Sequence, residues 1–564
     1  MLKKEKRKNL NINEVEKLLK KKKIIFALRS GETKKYGAYV RWYLPLKKLF
    51  GQVILFDPRK KRFDYGLEAM KKMFLNIVIK EKPDYIFAIV GWQGEFDIDY
   101  LEKINEISPK TKIITFYGDD DIFFTSTRYY ILFADYSLIA QPHYFKLYKK
   151  DGVKKVFLTV GLNTDYLKPI NVDKKYDVTF VGTVSPSRIE IIRFLIKNGI
   201  NVKIWGKGWY YSEFKDFYGR PPLSCSDDIL KIRGQSKINL AFTKNRYGEL
   251  HFKGRIFENA ACKAFQLTEY FPEYLNYFKN NEELIMFKDN KDLLEKIKYY
   301  LKHDEEREKI AECAYKKMIK NYDMTAEFKQ FFKKVLEDES DFSRKLPKLD
   351  KMMVSLSKND LNKSPNEIKE KIKDADYICF FDGECKISKF KNYLQMYSLE
   401  KTKKDVSCCD YYAYSKGLGN YLVFNAYGAF KFINRKDFNK LLNLNQIVVT
   451  KNYFLKNLNK FKEFFYGKEV DLINEKNTAF VSIPLLKIKK FKEVNSINMI
   501  EEAFEPHFML ELYSLFRKKK LFFNKYFYKL LISPILINNF FIWKYLLKSL
   551  FNKENWFKIK FEEK

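Results

Sequence analysis

The segment HFKGRIFENAACKAF brings Lys253, Arg255 and Glu258 within six residues of one another. If GRIFENAACKA is a helix, Arg255 and Glu258 lie three apart on one face, and Lys253 sits just before its first turn. A helix start reinforced by Lys and Arg favours bound phosphate. A carboxylate one turn further in can accept the two hydroxyls of a ribose. The commoner use of this spacing is a surface Arg–Glu pair, and the spacing alone does not separate the two. A second concentration of chemistry is the run Gly118-Asp119-Asp120-Asp121, which follows KTKIITFY. It falls at the carboxyl end of an expected strand, where doubly wound folds place reacting groups. Asp119 or Asp120 there would act as general base on an acceptor hydroxyl, and Glu32 in the loop SGETKKYG is a third candidate. The competing use of the acids is a helix N-cap with solvated neighbours. His143, after Pro142, reads as a surface or core histidine.

Two series of strands alternating with helices are needed to hold these groups. KIIFALRSG, QVILFD, PDYIFAIVG, KTKIITFYG, DYSLIAQP and KVFLTVG are short apolar runs separated by helical segments, which implies a mostly parallel sheet. GLNTDYLKPINVDKKYD lacks apolar periodicity and reads as a linker. The second series follows: DVTFVG, a helix RIEIIRFLIKNG begun by Pro186 and ended by Gly199, NVKIWGKG, the helix DDILKIRGQ, KINLAFTK, GRIFENAACKA, FQLTEY, and one long charged helical stretch over Lys291–Asn321. Two doubly wound domains joined by one linker leave a cleft between the carboxyl ends of their strands. The expected organisation is a charged segment 1–22, a first Rossmann-like domain 23–165, a second 166–337, a polar linker 338–370, a smaller α/β domain 371–505, and a basic, aromatic helical tail 506–564.

The run R-I-F-E, then A-A-C, then L-T, followed by E-E-L and the helix around YYLKHDEEREKIA, resembles the CgeB-like glycosyltransferases of the GT-B fold. DVTFVGTVSPSR, KIWGKGW and ITFYGDDD are similar to the same family, so the resemblance covers roughly residues 23–335. It implies a nucleotide-sugar donor on the second domain and an acceptor on the first. Arg255 would meet the diphosphate and Glu258 the ribose, with Lys253 as a further phosphate ligand. Gly182 and Thr183 would line the donor cleft by backbone, and Gly206 and Gly208 would permit close approach near the base. No metal is required, because cations and the helix dipole neutralise the leaving diphosphate. One departure stands out: Lys263 occupies the position of a usual glycine after A-C, where it would crowd the donor or add a cation. Glu249 and Glu258 miss the E-x7-E spacing of the retaining enzymes by one residue, which leaves the anomeric outcome open. The third domain resembles a truncated, degenerate family 2 glycosyltransferase of the GT-A fold. There Asp382 and Glu384 would hold a metal only if that domain is active.

Composition bounds the rest. A chain of 564 residues needs several cores, and its formal charge of +36 draws it to anionic membrane, phosphorylated substrate or nucleic acid. Seven scattered cysteines without a C-x-x-C pair, and four histidines that do not cluster, point away from structural zinc and towards a reducing cytoplasm. The N-terminus lacks the apolar core of a signal peptide. The tail, with RKKKLFFNKYFYKLL, suits either an anionic membrane surface or a helical cap. The expected protein is a cytoplasmic glycosyltransferase, peripheral at the inner membrane face. It would move a sugar onto a glycan, lipid-linked saccharide or protein in cell-surface polysaccharide or glycoconjugate assembly. The rivals are a binding protein of the same fold without turnover and a basic nucleic-acid-binding protein.

Overall fold

The computed structural model describes residues 9–27, 37–89, 95–206, 208–209, 213–219, 226–245, 248–338, 346–381, 385–415, 420–424, 444–465, 470, 472–474 and 476–488. Glu32, the Asp382–Glu384 run and the tail 506–564 lie outside them. No helix among the described residues is long and apolar enough to cross a membrane.

The first domain is a six-stranded parallel sheet in the order β2-β1-β3-β4-β5-β6. Its strands are β1 (Lys23–Ala27), β2 (Gln52–Leu55), β3 (Tyr85–Ala88), β4 (Lys112–Tyr117), β5 (Tyr136–Ile139) and β6 (Val156–Leu158). β3 and β5 are buried throughout, as parallel strands covered on both faces must be. The second domain is a five-stranded parallel sheet, β11-β10-β9-β7-β8. It comprises β7 (Tyr176–Val181), β8 (Val202–Trp205), β9 (Ser236–Ala241), β10 (Gln266–Glu269) and β11 (Ile285–Phe287). This is the expected GT-B pair of doubly wound domains. Two details differ from the pattern in the sequence. IMF forms β11, and the long charged stretch breaks at Leu301–His303 into helices Asn290–Tyr300 and Asp304–Asn321.

The boundary at 337 is also corrected. Asp323 caps helix Met324–Glu337 and bridges to Leu162. That helix then returns to the first domain, burying Phe328, Phe331, Phe332 and Val335 among Phe26, Tyr85 and Tyr136. The second domain's own core therefore stops short of this helix.

The supposed linker 338–370 holds structure as well. β12 (Met353–Leu356) begins the third sheet, and Ser357 and Ser364 open short helices through reciprocal capping boxes with Asp360 and Glu367. The S-x-x-D/E spacing signals this even in a polar run. The mixed sheet continues with β13 (Tyr377–Phe380), β14 (Cys385–Ile387), β15 (Val406–Ser415), β16 (Asn420–Phe424), β17 (Ile447–Thr450) and β18 (Thr478–Ile488), in the order β12-β13-β17-β15-β18-β14 with β16 on β15. This domain is not a bead on a string. Phe390 packs edge-on against Phe133 at 4.8 Å, the Tyr397 hydroxyl donates to the Asp151 carbonyl at 2.9 Å, and one apolar cluster runs through both domains.

Candidate functional site

The carboxyl ends of both sheets face one cavity of about 430 Å³. β4 leads into Gly118 and Asp119, β5 into Ala140 and β6 into Thr159, all from the first domain. β7 leads into Gly182 and Thr183, and the segment after β9 contributes His251 to Glu258. The floor on the second-domain side is tightly built. A Cβ on Gly182 would lie 2.7 Å from the Phe180 ring and 3.2 Å from Arg255 Nη1. Gly206 adopts φ +129°, and a Cβ there would lie 2.2 Å from the Gly182 carbonyl oxygen. Gly206 therefore lets the loop after β8 lie on the loop after β7. Gly208 packs beside Val184 in the same way. Gly182 and Thr183 line the cavity. Gly206 and Gly208 stand behind them and do not.

Four cations line the cavity: Arg41, Arg188, Lys253 and Arg255. Burial lowers the pKa of Arg41, with Glu258 and Glu327 only partly offsetting it. Burial also lowers that of Arg188, whose Nη1 donates to the Thr183 carbonyl at 2.6 Å. Lys253 is pulled down to about 8, first by burial and then by Arg188. Such shifts mean that positive charge is held here with too little compensating negative charge. A bound polyanion would supply it. Arg41 and Arg188 are absent from the sequence expectations. They lie far apart in the chain, in YVRWY and SPSR, and only the fold brings them to Lys253 and Arg255.

Glu258 also lines the cavity and forms an ion pair with Arg233, whose side chain is 5% exposed. Burial pushes the Glu258 carboxyl up, but the combined charges of Arg233, Arg255 and Arg41 hold it below its ordinary value. One carboxylate oxygen is thus engaged from behind, and the group is anchored at the cleft wall.

The acidic run separates into three different environments. Asp119 lines the cavity with its side chain 59% exposed and makes no capping hydrogen bond to the helix Asp120–Tyr130. Asp120 is wholly buried and does not reach the cleft. Its Oδ1 accepts from Tyr148 at 2.7 Å and Thr127 at 2.8 Å, and burial pushes its carboxyl up to about 7. Asp121 turns to the second domain: Oδ1 lies 2.8 Å from His251 Nδ1, and Oδ2 accepts from Asn245 Nδ2 at 2.7 Å. His251 was legible only as a residue of the donor segment, and nothing in its spacing announced Asp121 as its neighbour. Asp119, Asp121 and His251 offer three ligand-type atoms within 4.8 Å of one another. Asp121 Oδ1 and His251 Nδ1 approach to 2.8 Å, yet both are buried without a hydrogen-bond partner. His143 is half-buried beside Tyr144 and Phe271, outside the cavity wall.

Lys263 is not among the residues that line the cavity. The residue after the helix Arg255–Ala261 and its cap Cys262 needs a left-handed conformation, which is why glycine suits it. Lys263 adopts φ 52°, and its ammonium pairs with Glu312 at 2.7 Å, away from the cavity. Lys263→Gly is expected to raise stability by about 0.5–1 kcal/mol, the left-handed strain outweighing a weak exposed ion pair. Nucleotide affinity should stay unchanged. Chemical denaturation and a binding titration check both, and a loss of affinity would place Lys263 back in the site.

The two facing doubly wound domains, with their cleft, are those of the GT-B fold. The sequence of the chain is similar to glycosyl transferase-like proteins and to CgeB. Residues 188–333 match the family model described as glycosyl transferase-like. The chain is 23% identical over 258 residues to the spore protein CgeB of Bacillus subtilis (strain 168), covering 42% of this chain and 78% of that protein. Solved structures that resemble it include a glycosyltransferase from Rickettsia africae ESF-5, with 15% identity over 57% of this chain and 100% of that one and a TM-score of 0.42. Anabaena Alr3699/HepE in complex with UDP-glucose has 12% identity over 56% of this chain and 99% of that one, also with a TM-score of 0.42.

Proposed function

We propose that this protein transfers a sugar from a nucleoside-diphosphate donor to a hydroxyl acceptor in cell-surface polysaccharide or glycoconjugate assembly. The observation that carries the reading is the convergence of Arg41, Arg188 and Lys253, all under-compensated, on one cavity at the carboxyl ends of both sheets. The donor diphosphate lies among these cations and Arg255, with its ribose on Glu258. As the acceptor oxygen bonds to the anomeric carbon, the bond to the diphosphate breaks and its electron pair leaves with the phosphate. The developing charge is then met by preplaced cations. Asp119 and His251 stand on the acceptor side of the same cavity. The chain's own groups supply this chemistry without a required cofactor; Asp382 and Glu384 would add a metal site only with an active third domain.

The acceptor is a glycan, a lipid-linked saccharide or a protein, reached at an anionic membrane surface that the net charge of +36 favours. The binding-only alternative rests on Lys263 and on the degenerate third domain, and the outward pairing of Lys263 removes the first of these motives. Nucleoside diphosphate release from a panel of nucleotide sugars tests the proposal, with the Lys253→Ala/Arg255→Ala double variant as the control. Release by the parent chain and loss in the variant are expected. Equal release by both would refute the placement of the donor.

A further inference from the structure

We propose that Asp119 and Asp121 of the first domain and His251 of the second form a divalent-cation site across the acceptor side of the cleft. Each residue offers one ligand-type atom, and these lie within 4.8 Å of one another. Within the cluster, Asp121 Oδ1 and His251 Nδ1 are buried without a hydrogen-bond partner although they are 2.8 Å apart. The Asp121 side chain is 1% exposed and that of His251 11%. The distance suffices for a hydrogen bond, so it is the direction that fails: the carboxylate oxygen stands to the side of the ring nitrogen. Two buried acceptors left in this way are costly unless something else meets them. Two ligands at right angles around one cation stand in this relation. With bonds of about 2.0–2.2 Å they lie about 2.8–3.1 Å apart, each to the side of the other's bond. A water bonded to both would see them about 60° apart, too narrow for two well-directed hydrogen bonds.

The surroundings hold the ligands in place. Asn245 Nδ2 donates to Asp121 Oδ2 at 2.7 Å, which leaves Oδ1 for the cation. The His251 backbone N–H donates to the Thr243 carbonyl at 2.9 Å. With Nδ1 on a cation the ring hydrogen sits on Nε2. That nitrogen lies 3.7 Å from Asp119 Oδ1 and 3.3 Å from Gln141 Nε2, which also donates to the carbonyls of Gly118 and Phe252. Asp119 and His251 line the cavity, so positions left open on the cation would face the cleft. Two carboxylates and one imidazole suit a divalent transition metal such as Mn²⁺, Co²⁺ or Zn²⁺. Lys253, whose charge acts on both acids, is the fixed cation beside the site. Because the ligands come from both domains, a bound cation would tie the domains together. It would do so beside the Asn245–Asp121 and Phe252–Gln141 hydrogen bonds, which cross the same boundary. The diphosphate chemistry proposed above does not pass through this cation, and the site does not depend on that reading.

Mn²⁺ alone, added to the full chain without a donor, tests this, because the scattered thiols compete for it only weakly. Electron paramagnetic resonance of the free ion is expected to show one Mn²⁺ bound per chain. Asp121→Asn and His251→Asn should each weaken it about tenfold or more. Asp119→Asn, whose side chain is 59% exposed and so carries little of the fold, should also weaken it. At about 100 times its dissociation constant, Mn²⁺ should raise the thermal unfolding midpoint of the parent by a few degrees and leave that of His251→Asn unchanged. No bound Mn²⁺ at about 1 mM, or binding equally strong in the parent and all three variants, overturns the proposal. A chain that binds Mn²⁺ in this way but turns over no nucleotide sugar keeps the cation site and loses the transferase reading. A chain that turns over a donor but binds no Mn²⁺ loses the site and keeps that reading.

Discussion

Glu258→Gln is expected to cost about 3 kcal/mol of stability and to weaken donor binding at the same time. The stability loss comes from Arg233. Its side chain is 5% exposed, and removing its carboxylate leaves a buried charge without its partner. The loss lies at the lower end of what breaking a buried pair costs, because Glu258 itself is one-third exposed to the cleft. Replacing both residues, Arg233→Met with Glu258→Gln, should restore most of the stability, since the buried Arg233 charge is then gone. Donor affinity should not return, because the carboxylate proposed to meet the ribose is still missing. Chemical denaturation of the two single variants and the double variant, together with nucleotide titration, separates the two effects. The sign with pH follows from the depressed Glu258 carboxyl. Its stabilisation is complete above the unfolded value of about 4.3 and is lost as pH falls through the lower folded value. A double variant that recovers both stability and affinity would show that Glu258 supports the cleft without touching the donor.

The affinity for a nucleoside diphosphate is expected to be flat from pH 7 to about 8. Above that it should fall by as much as tenfold per pH unit. Lys253 is the cause: burial and Arg188 bring it down to about 8, so the free site loses this cation early in the alkaline range. Lys253→Met should bind more weakly at pH 7 and show a flat profile up to pH 9. The same residue should act oppositely on stability. Its folded pKa lies below the unfolded value of about 10.4, so its unfavourable contribution is complete below about pH 8 and is relieved as pH rises towards 10.4. Lys253→Met is therefore expected to be more stable at neutral pH while binding less well. Isothermal titration across pH and thermal unfolding of both proteins decide this. An alkaline fall that persists unchanged in Lys253→Met would assign it to another group.

The two sheets were legible because parallel strands buried on both faces are bare apolar runs such as YIFA and YSLI, punctuated by glycine. Lys253, Arg255 and Glu258 were legible because they are neighbours in the chain. Asp119 was legible because a strand's carboxyl end points to the cleft. Asp120 was misplaced by the same rule, since the helix turn that follows carries the next side chain inward, to Tyr148 and Thr127. Arg41, Arg188 and His251 were not legible as site residues, because their role depends on two domains meeting. β12 was hidden by a polar surround, although the capping boxes of Ser357 and Ser364 beside it were readable. Lys263 looked like a defect because a position that favours glycine for backbone reasons was taken as one that faces the donor.

The central claim is that the cleft turns over a nucleotide sugar. The most direct measurement is nucleoside diphosphate release by the full-length chain, followed for each nucleotide sugar of a panel beside the Lys253→Ala/Arg255→Ala variant. The account predicts release with one class of donor and its loss in the variant. Release from no donor by a folded parent chain, or equal release by parent and variant, would contradict it.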